Sequence, residues 1–133
     1  MSRENVELVR RWWAAFNEDG AAPLDLCHDQ IEIRNPSQFP DTGPSLGHAG
    51  VREWEADTWE IFLGLQMDVD EIIDVGDGER VVSVQTLRGR FRHTSLPTNV
   101  QWAGVSTVRG GKVARAQGYM SRAEALEAVG LRE

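Results

Sequence analysis

Gly110-Gly111 is the feature that most narrows what this chain can fold into. The flanking runs 100–109 and 112–120 are rich in strand-forming residues, and a glycine pair between two such runs reads as a tight β-hairpin. Glycines reach the positive φ values that the turn demands, so the two runs are expected to be antiparallel neighbours. Counting outward from the turn pairs Val108 with Val113, Val105 with Ala116 and Ala103 with Gly118. One face of the hairpin then carries Gln101, Ala103, Val105, Ala116, Gly118 and Met120. The other carries Trp102, Gly104, Ser106, Val108, Arg115, Gln117 and Tyr119.

The chain before this hairpin begins with helix. Val6, Val9, Trp13 and Phe16, with Trp12 beside them, form one apolar stripe at helical spacing, while Glu7, Arg10 and Arg11 lie off it. Ser2 suits the cap and Glu18-Asp19-Gly20 the end. Pro23 fits the first turn of a short second helix reaching Cys27. Residues 31–34 alternate as a strand, stopped by Asn35-Pro36. The proline- and glycine-rich stretch 36–47 reads as a long loop of the kind that covers binding sites. A further helix is expected over about 50–62, then strands over 65–75 and 80–91, and a loop over 94–99 containing Pro97. Ser121 with Glu124 forms a capping box for a last short helix ended by Gly130. Residues 1–133 read as a single domain.

Charge and cysteine content exclude several roles. The formal net charge is −7, and nucleic acids and anionic membranes draw their affinity from the opposite sign. Cys27 is the only cysteine, which rules out an intrachain disulfide and a thiolate metal cluster. No apolar run approaches the ~20 residues of a membrane span, and the first residues lack a signal-peptide layout. The expectation is a cytoplasmic protein without nucleic-acid or membrane partners. His28, His48 and His93 have no ligand spacing, so neither a metal nor any other cofactor is expected.

The element order, helix, helix, strand, helix and strand meander, resembles the nuclear transport factor two-like superfamily, with its SnoaL-like branch closest. The residues that carry the resemblance are Glu4-Asn5-Val6, Trp12-Trp13-Ala14-Ala15-Phe16-Asn17, Asn35-Pro36, Gly50-Val51-Arg52-Glu53, Gly110-Gly111-Lys112-Val113, and Tyr119 leading into Ala123-Glu124-Ala125-Leu126. The resemblance implies an α+β fold in which a curved, mainly antiparallel sheet wraps around the N-terminal helices as a cone, a cystatin-like roll, with an apolar pocket. It also makes the Gln101–Ala103–Val105 face the inward one. In the related ketosteroid isomerases a carboxylate base sits where this chain has Asn35, a phenolic donor where it has Trp12, and a second acid where it has Ala103. An amide has no useful pKa for proton abstraction, and an indole N–H donates without shuttling a proton. Related polyketide cyclases use an aspartate on the late strands, and Ala103, Val105, Ala116, Gly118 and Met120 supply none.

The candidate ligand-contacting set is therefore Trp12, Trp13, Phe16, Asn35, Trp54, Gln85, Gln101, Ala103, Val105, Ala116 and Met120. Asn35 reads equally as a ligand-orienting amide or as a turn residue bonding its own backbone. The tryptophans, Trp59 included, read as core with one or two lining a cavity. His48 and Asp41 are the loop residues placed to reach a pocket mouth. Arg88, Arg90 and Arg92 share one strand face, either holding an anion or paired with Asp68, Asp70 or Glu71. Gln85 falls on the opposite face, as a polar group in an apolar pocket. Trp102 and Tyr119, read as outward, suggest a homodimer interface. Three functions stay open: a binder of a small apolar molecule, an isomerase, cyclase or hydrolase with a rearranged site, and a dimeric interaction module.

Overall fold

The apolar stripe near the start winds into α1 (Ser2–Asp19). Leu8, Val9, Trp12 and Phe16 are buried along it, and Glu7, Arg10 and Arg11 are exposed. In this computed structural model residues 2–39 and 43–131 are described. The side chain of Ser2, expected to cap α1, and loop residue Asp41 lie outside the described residues. Gly20 ends α1 with φ +68°, its N–H donating to the Phe16 carbonyl at 2.8 Å. The expected second helix is only a three-residue 3-10 turn, Leu24–Leu26, because Cys27 already belongs to a strand.

That strand, β1 (Cys27–Arg34), is longer than its alternating core of 31–34 implied. After the loop come a two-residue β2 (Ser45–Leu46) and α2 (Gly47–Ile61). Then follow β3 (Phe62–Asp74), β4 (Arg80–Phe91), β5 (Pro97–Arg109) and β6 (Lys112–Tyr119). Strand β5 starts at Pro97, three residues before the expected boundary of 100. Proline is tolerated as a first strand residue, where its missing N–H costs little. The last helix is α3 (Arg122–Ala128), with the Ser121 hydroxyl accepting from the Glu124 N–H at 3.2 Å.

The strands form one six-stranded sheet in the order β2-β1-β6-β5-β4-β3. Every pairing is antiparallel except β1 with β6, which is parallel. The architecture is thus the α+β cone anticipated above, an open, curved, mostly antiparallel sheet. Its inner face packs on α1 and α2 through Phe16, Ile31, Ile33, Leu65, Met67 and Leu87. Its outer face is split. One half is covered by α3, whose Ala125 and Leu126 pack on Val82, Val84, Ala103 and Val105. The other half stays wet, with Arg88 paired to Asp68.

Two side chains tie the helices in place, Asn17 joining α1 to the sheet and Glu55 joining α2 to the segment that follows α1. Asn17 imitates a strand neighbour, donating to the Met67 carbonyl and accepting from the Met67 N–H, both at 2.8 Å. The buried carboxylate of Glu55 on α2 accepts from Arg52 at 2.6 and 2.7 Å and from the Ala22 N–H.

The hairpin corrects the register counted from its turn. Arg109 pairs with Lys112 and Val108 with Val113, as counted, but the next pair is Thr107 with Arg115. Ala114 is an extra residue, a β-bulge. Beyond it Val105 meets Gln117, Gly104 meets Gly118 and Ala103 meets Tyr119, so the expected Val105–Ala116 and Ala103–Gly118 pairs do not form. A one-residue slip exchanges faces. Trp102 and Ala116 therefore pack on the inner core, while Ala103, Val105 and Tyr119 pack with the α3 cluster. Trp102 and Tyr119 lie on opposite faces and do not form the single outward patch expected of a dimer interface.

Candidate functional site

A cavity of about 100 Å³ lies between the inner face of β4, β5 and β6, the aromatic side of α1, and Trp54 of α2. Its wall is mostly apolar: Val9, Trp12, Trp13, Ile33, Trp54, Met67 and Trp102. The aromatic rings meet at steep angles. Trp12 and Trp13 are 4.9 Å apart with planes at 73°, and Trp12 and Trp54 are 6.2 Å apart at 57°. Trp102 meets Phe39 edge-on at 5.2 Å. Phe16, expected to touch ligand, lies behind this wall, fully buried and stacked on Trp12 and Trp59.

Hydrogen bonding fixes which indoles can offer a donor to the cavity. The Trp12 N–H donates to Cys27 Sγ at 3.4 Å and the Trp59 N–H to the Gly20 carbonyl at 2.7 Å. Trp12 thus presents its ring and not its N–H. Burial pushes the Cys27 thiol pKa up, against the smaller lowering effects of the Trp12 N–H and the Arg52 charge. A thiol held protonated in this way is a poor nucleophile.

The polar part of the wall is short. Gln85 sits on β4 directly opposite Trp102 of β5, is only 5% exposed, and lines the cavity. Its Oε1 is fully buried and has no hydrogen-bond partner among the described residues. Leaving such an acceptor unmet costs about 1–3 kcal/mol. Ser83 lies two residues along the same face, opposite Gly104. At the mouth, Asn35 and Pro36 turn over β6, where a Cβ added at Gly118 would come within 3.0 Å of the Pro36 ring. Glycine at that position is what lets the turn close down on the strand. The Asn35 carbonyl accepts from Gln117 Nε2 at 3.3 Å. No bond from its side chain to its own backbone is present among the described residues.

The structure brings together Trp12, Trp13, Asn35, Trp54, Gln85 and Ala116 around the cavity. Gln101 does not join them; it is exposed on the outer face, donating to Asp70 at 3.2 Å. Met120 is exposed beyond the end of β6. Ala103 and Val105 border the cavity, but their side chains belong to the α3 cluster. The position aligned with a second catalytic acid thus points away from the pocket. Gly104 and Ser106, left off the candidate set, take the inward places on β5. The consecutive apolar residues Val113-Ala114, which break strict alternation, are the signal that would have revealed the bulge.

His48 is not in the wall; its Nε2 lies 3.1 Å from the Cys27 carbonyl and 3.8 Å from an Asp29 oxygen. The arginine row is engaged elsewhere. Arg88 pairs with Asp68, Arg90 donates to the Ser95 carbonyl at 2.9 Å, and Arg92 clamps the Trp59 carbonyl at 2.8 and 2.6 Å. Among the described residues lining the cavity there is no aspartate, glutamate, histidine or cysteine, and no cluster suited to a metal ion is present among the described residues. No helix among them is long and apolar enough to cross a membrane.

A cone of this topology with an aromatic cavity at its centre defines the ketosteroid isomerase-like class of fold. The SnoaL-like domain profile matches residues 9–116, and the chain belongs to that family. No curated protein matches the sequence. Among solved structures, Bal32a from a soil-derived mobile gene cassette is 18% identical with a TM-score of 0.77, covering 96% of this chain and 97% of that one. TerC, co-crystallised with polyporic acid, is 22% identical with a TM-score of 0.73 and coverage of 95% and 98%. A protein with a ketosteroid isomerase-like fold from Catenulispora acidiphila, in complex with trimethylamine, is 20% identical with a TM-score of 0.73 and coverage of 95% and 94%. At these identities the likeness is one of fold.

Proposed function

We propose that this domain binds a small, mainly apolar molecule carrying one hydrogen-bond donor, and holds it without chemical change. The observation that carries this reading is the buried, unpartnered Oε1 of Gln85 in an otherwise apolar cavity. Ligand sites combine an apolar wall with a few placed polar groups, and a donor from the ligand would satisfy this acceptor once a turn of the Gln85 amide brings the closed-off Oε1 to the cavity surface. Size narrows the choice: a volume of about 100 Å³ is below the roughly 150 Å³ of an engineered cavity that takes one benzene. A single ring or a compact branched group fits, and a four-ring skeleton does not. Two of the similar folds were crystallised with different small molecules, so the fold alone does not select the ligand.

The lack of a base in the described wall argues against proton-transfer chemistry. The unmutated protein should give no conjugated-enone absorbance with a 3-oxo-Δ5-steroid, and clear turnover would replace this reading with an enzymatic one. Binding is tested by melting shifts with small alcohols, phenols and amines. A ligand at about 100 times its Kd contributes about 2.7 kcal/mol, on the order of 8 °C for a domain of this size. The shift should fall to about half in Gln85→Leu, as for a tenfold loss of affinity at the same ligand concentration. If Gln85 holds only an ordered water, no compound will move the melting temperature, and the reading fails. A cytoplasmic setting for this role fits a chain with a single, buried cysteine.

A further inference from the structure

We infer that the ligand is a compact tertiary ammonium ion, with one N–H⁺ and apolar substituents. This rests on the binding reading above and gives it a chemical class. Trp12, Trp13, Trp54 and Trp102 all line the cavity, and the 73° and 57° angles between Trp12 and its two neighbours mean that their ring planes border it in more than one orientation. Such a cage attracts a cation through the negative faces of the indoles, most strongly where water is excluded. A quaternary ammonium would leave the Gln85 acceptor unmet, whereas a tertiary one brings the single donor that Oε1 lacks. A primary ammonium brings three donors into a wall that offers few acceptors, and the surplus would be stranded.

Volume and charge agree with this choice. The space of about 100 Å³ matches a nitrogen with three short alkyl arms. Arg34 is the only charged residue in the described lining, and its guanidinium is paired with Glu32 outside the cavity. The molecule as a whole carries a formal charge of −7, which raises the local concentration of cations.

The test uses three probes of nearly one shape on the full chain, read by calorimetry at neutral pH. Trimethylammonium chloride has the charge and the donor, tetramethylammonium chloride the charge alone, and tert-butanol the donor alone. Trimethylammonium should bind most tightly, with each of the others weaker by on the order of tenfold. In Gln85→Leu the advantage of trimethylammonium over tetramethylammonium should disappear. In Trp54→Leu the ammonium ions should lose on the order of tenfold more affinity than the alcohol, and Trp54→Phe, which keeps a ring, should restore most of it. Binding of tert-butanol as tight as trimethylammonium would overturn the cation while leaving the pocket reading intact. No binding by any probe would overturn both. Ammonium binding indifferent to Gln85→Leu and Trp54→Leu would put the ion elsewhere and also overturn the inference.

Discussion

The two faces of β5 are one residue apart in sequence and opposite in character. Ala103 and Val105 are closed under α3, in an apolar contact with Val82, Val84 and Leu126. Trp102, Gly104 and Ser106 look into a space that remains partly empty and contains a buried amide with an unmet acceptor. The outer face is filled, which is how a sheet gains stability. The inner face is left under-packed and under-satisfied, and each defect costs free energy. On the proposed reading, that contrast gives structural work to one side of a strand and binding to the other.

The sharpest way to break the comparison is to place a carboxylate on the wrong side. Ala103 is 2% exposed, so Ala103→Asp buries a carboxylate among aliphatic groups and should cost about 3 kcal/mol or more, enough to leave little folded protein. Gly104→Ala, one residue on, adds a methyl whose nearest neighbour is the Gln117 carbonyl oxygen at 3.4 Å, an ordinary contact. It should leave the denaturant midpoint nearly unchanged while shrinking the cavity. If the two variants unfold alike, the assignment of faces is wrong.

A smaller effect of opposite sign is expected at the cavity. Gln85→Leu removes the unmet acceptor and keeps the side-chain bulk, so the ligand-free protein should become more stable by about 1 kcal/mol. Destabilisation would mean that Gln85 already has a partner. The smallest effect concerns the edge of the α3 contact, where Arg122 donates to Glu71 at 2.8 Å. This hydrogen bond holds the Glu71 carboxyl below the ordinary glutamate range. A depressed folded-state pKa gives stability that is present above the unfolded value, ~4.3, and is lost as pH falls through the folded one. Hydrogen exchange in α3 should therefore quicken on acidification below about 4, and Glu71→Gln should flatten that response.

Much of the fold was legible because its signals are local. The stripe of Val9, Trp12 and Phe16, the Gly110-Gly111 turn and the Ser121 cap each act within a few residues, and each appears as an element of the expected kind. The site was less legible because it depends on register. A single extra residue at Ala114 places Ala116 on the inner face and Ala103 on the outer one, although a straight count puts them together. Other features need contacts remote in sequence. Asn17 reads as an ordinary helix residue until Met67 is beside it, and Trp12 reads as a possible pocket donor until Cys27 takes its N–H. Gln85 was identifiable as the odd polar residue on an apolar strand face, but its missing partner is a property of three dimensions.

The parallel pairing of β1 with β6 sets the order in which the chain can be completed during synthesis. Residues 27–34 are made well before the segment 113–117, which apart from the two-residue β2 is their only sheet neighbour among the described residues. Closing so long a loop carries an entropic cost that must be met before any pairing rewards it. Until then the tryptophans of α1 and α2 face an unfinished sheet, and exposed surface of that kind draws chaperones or other nascent chains. The sheet of this domain is accordingly closed only once β6 is available to join β1 to the rest of the strands.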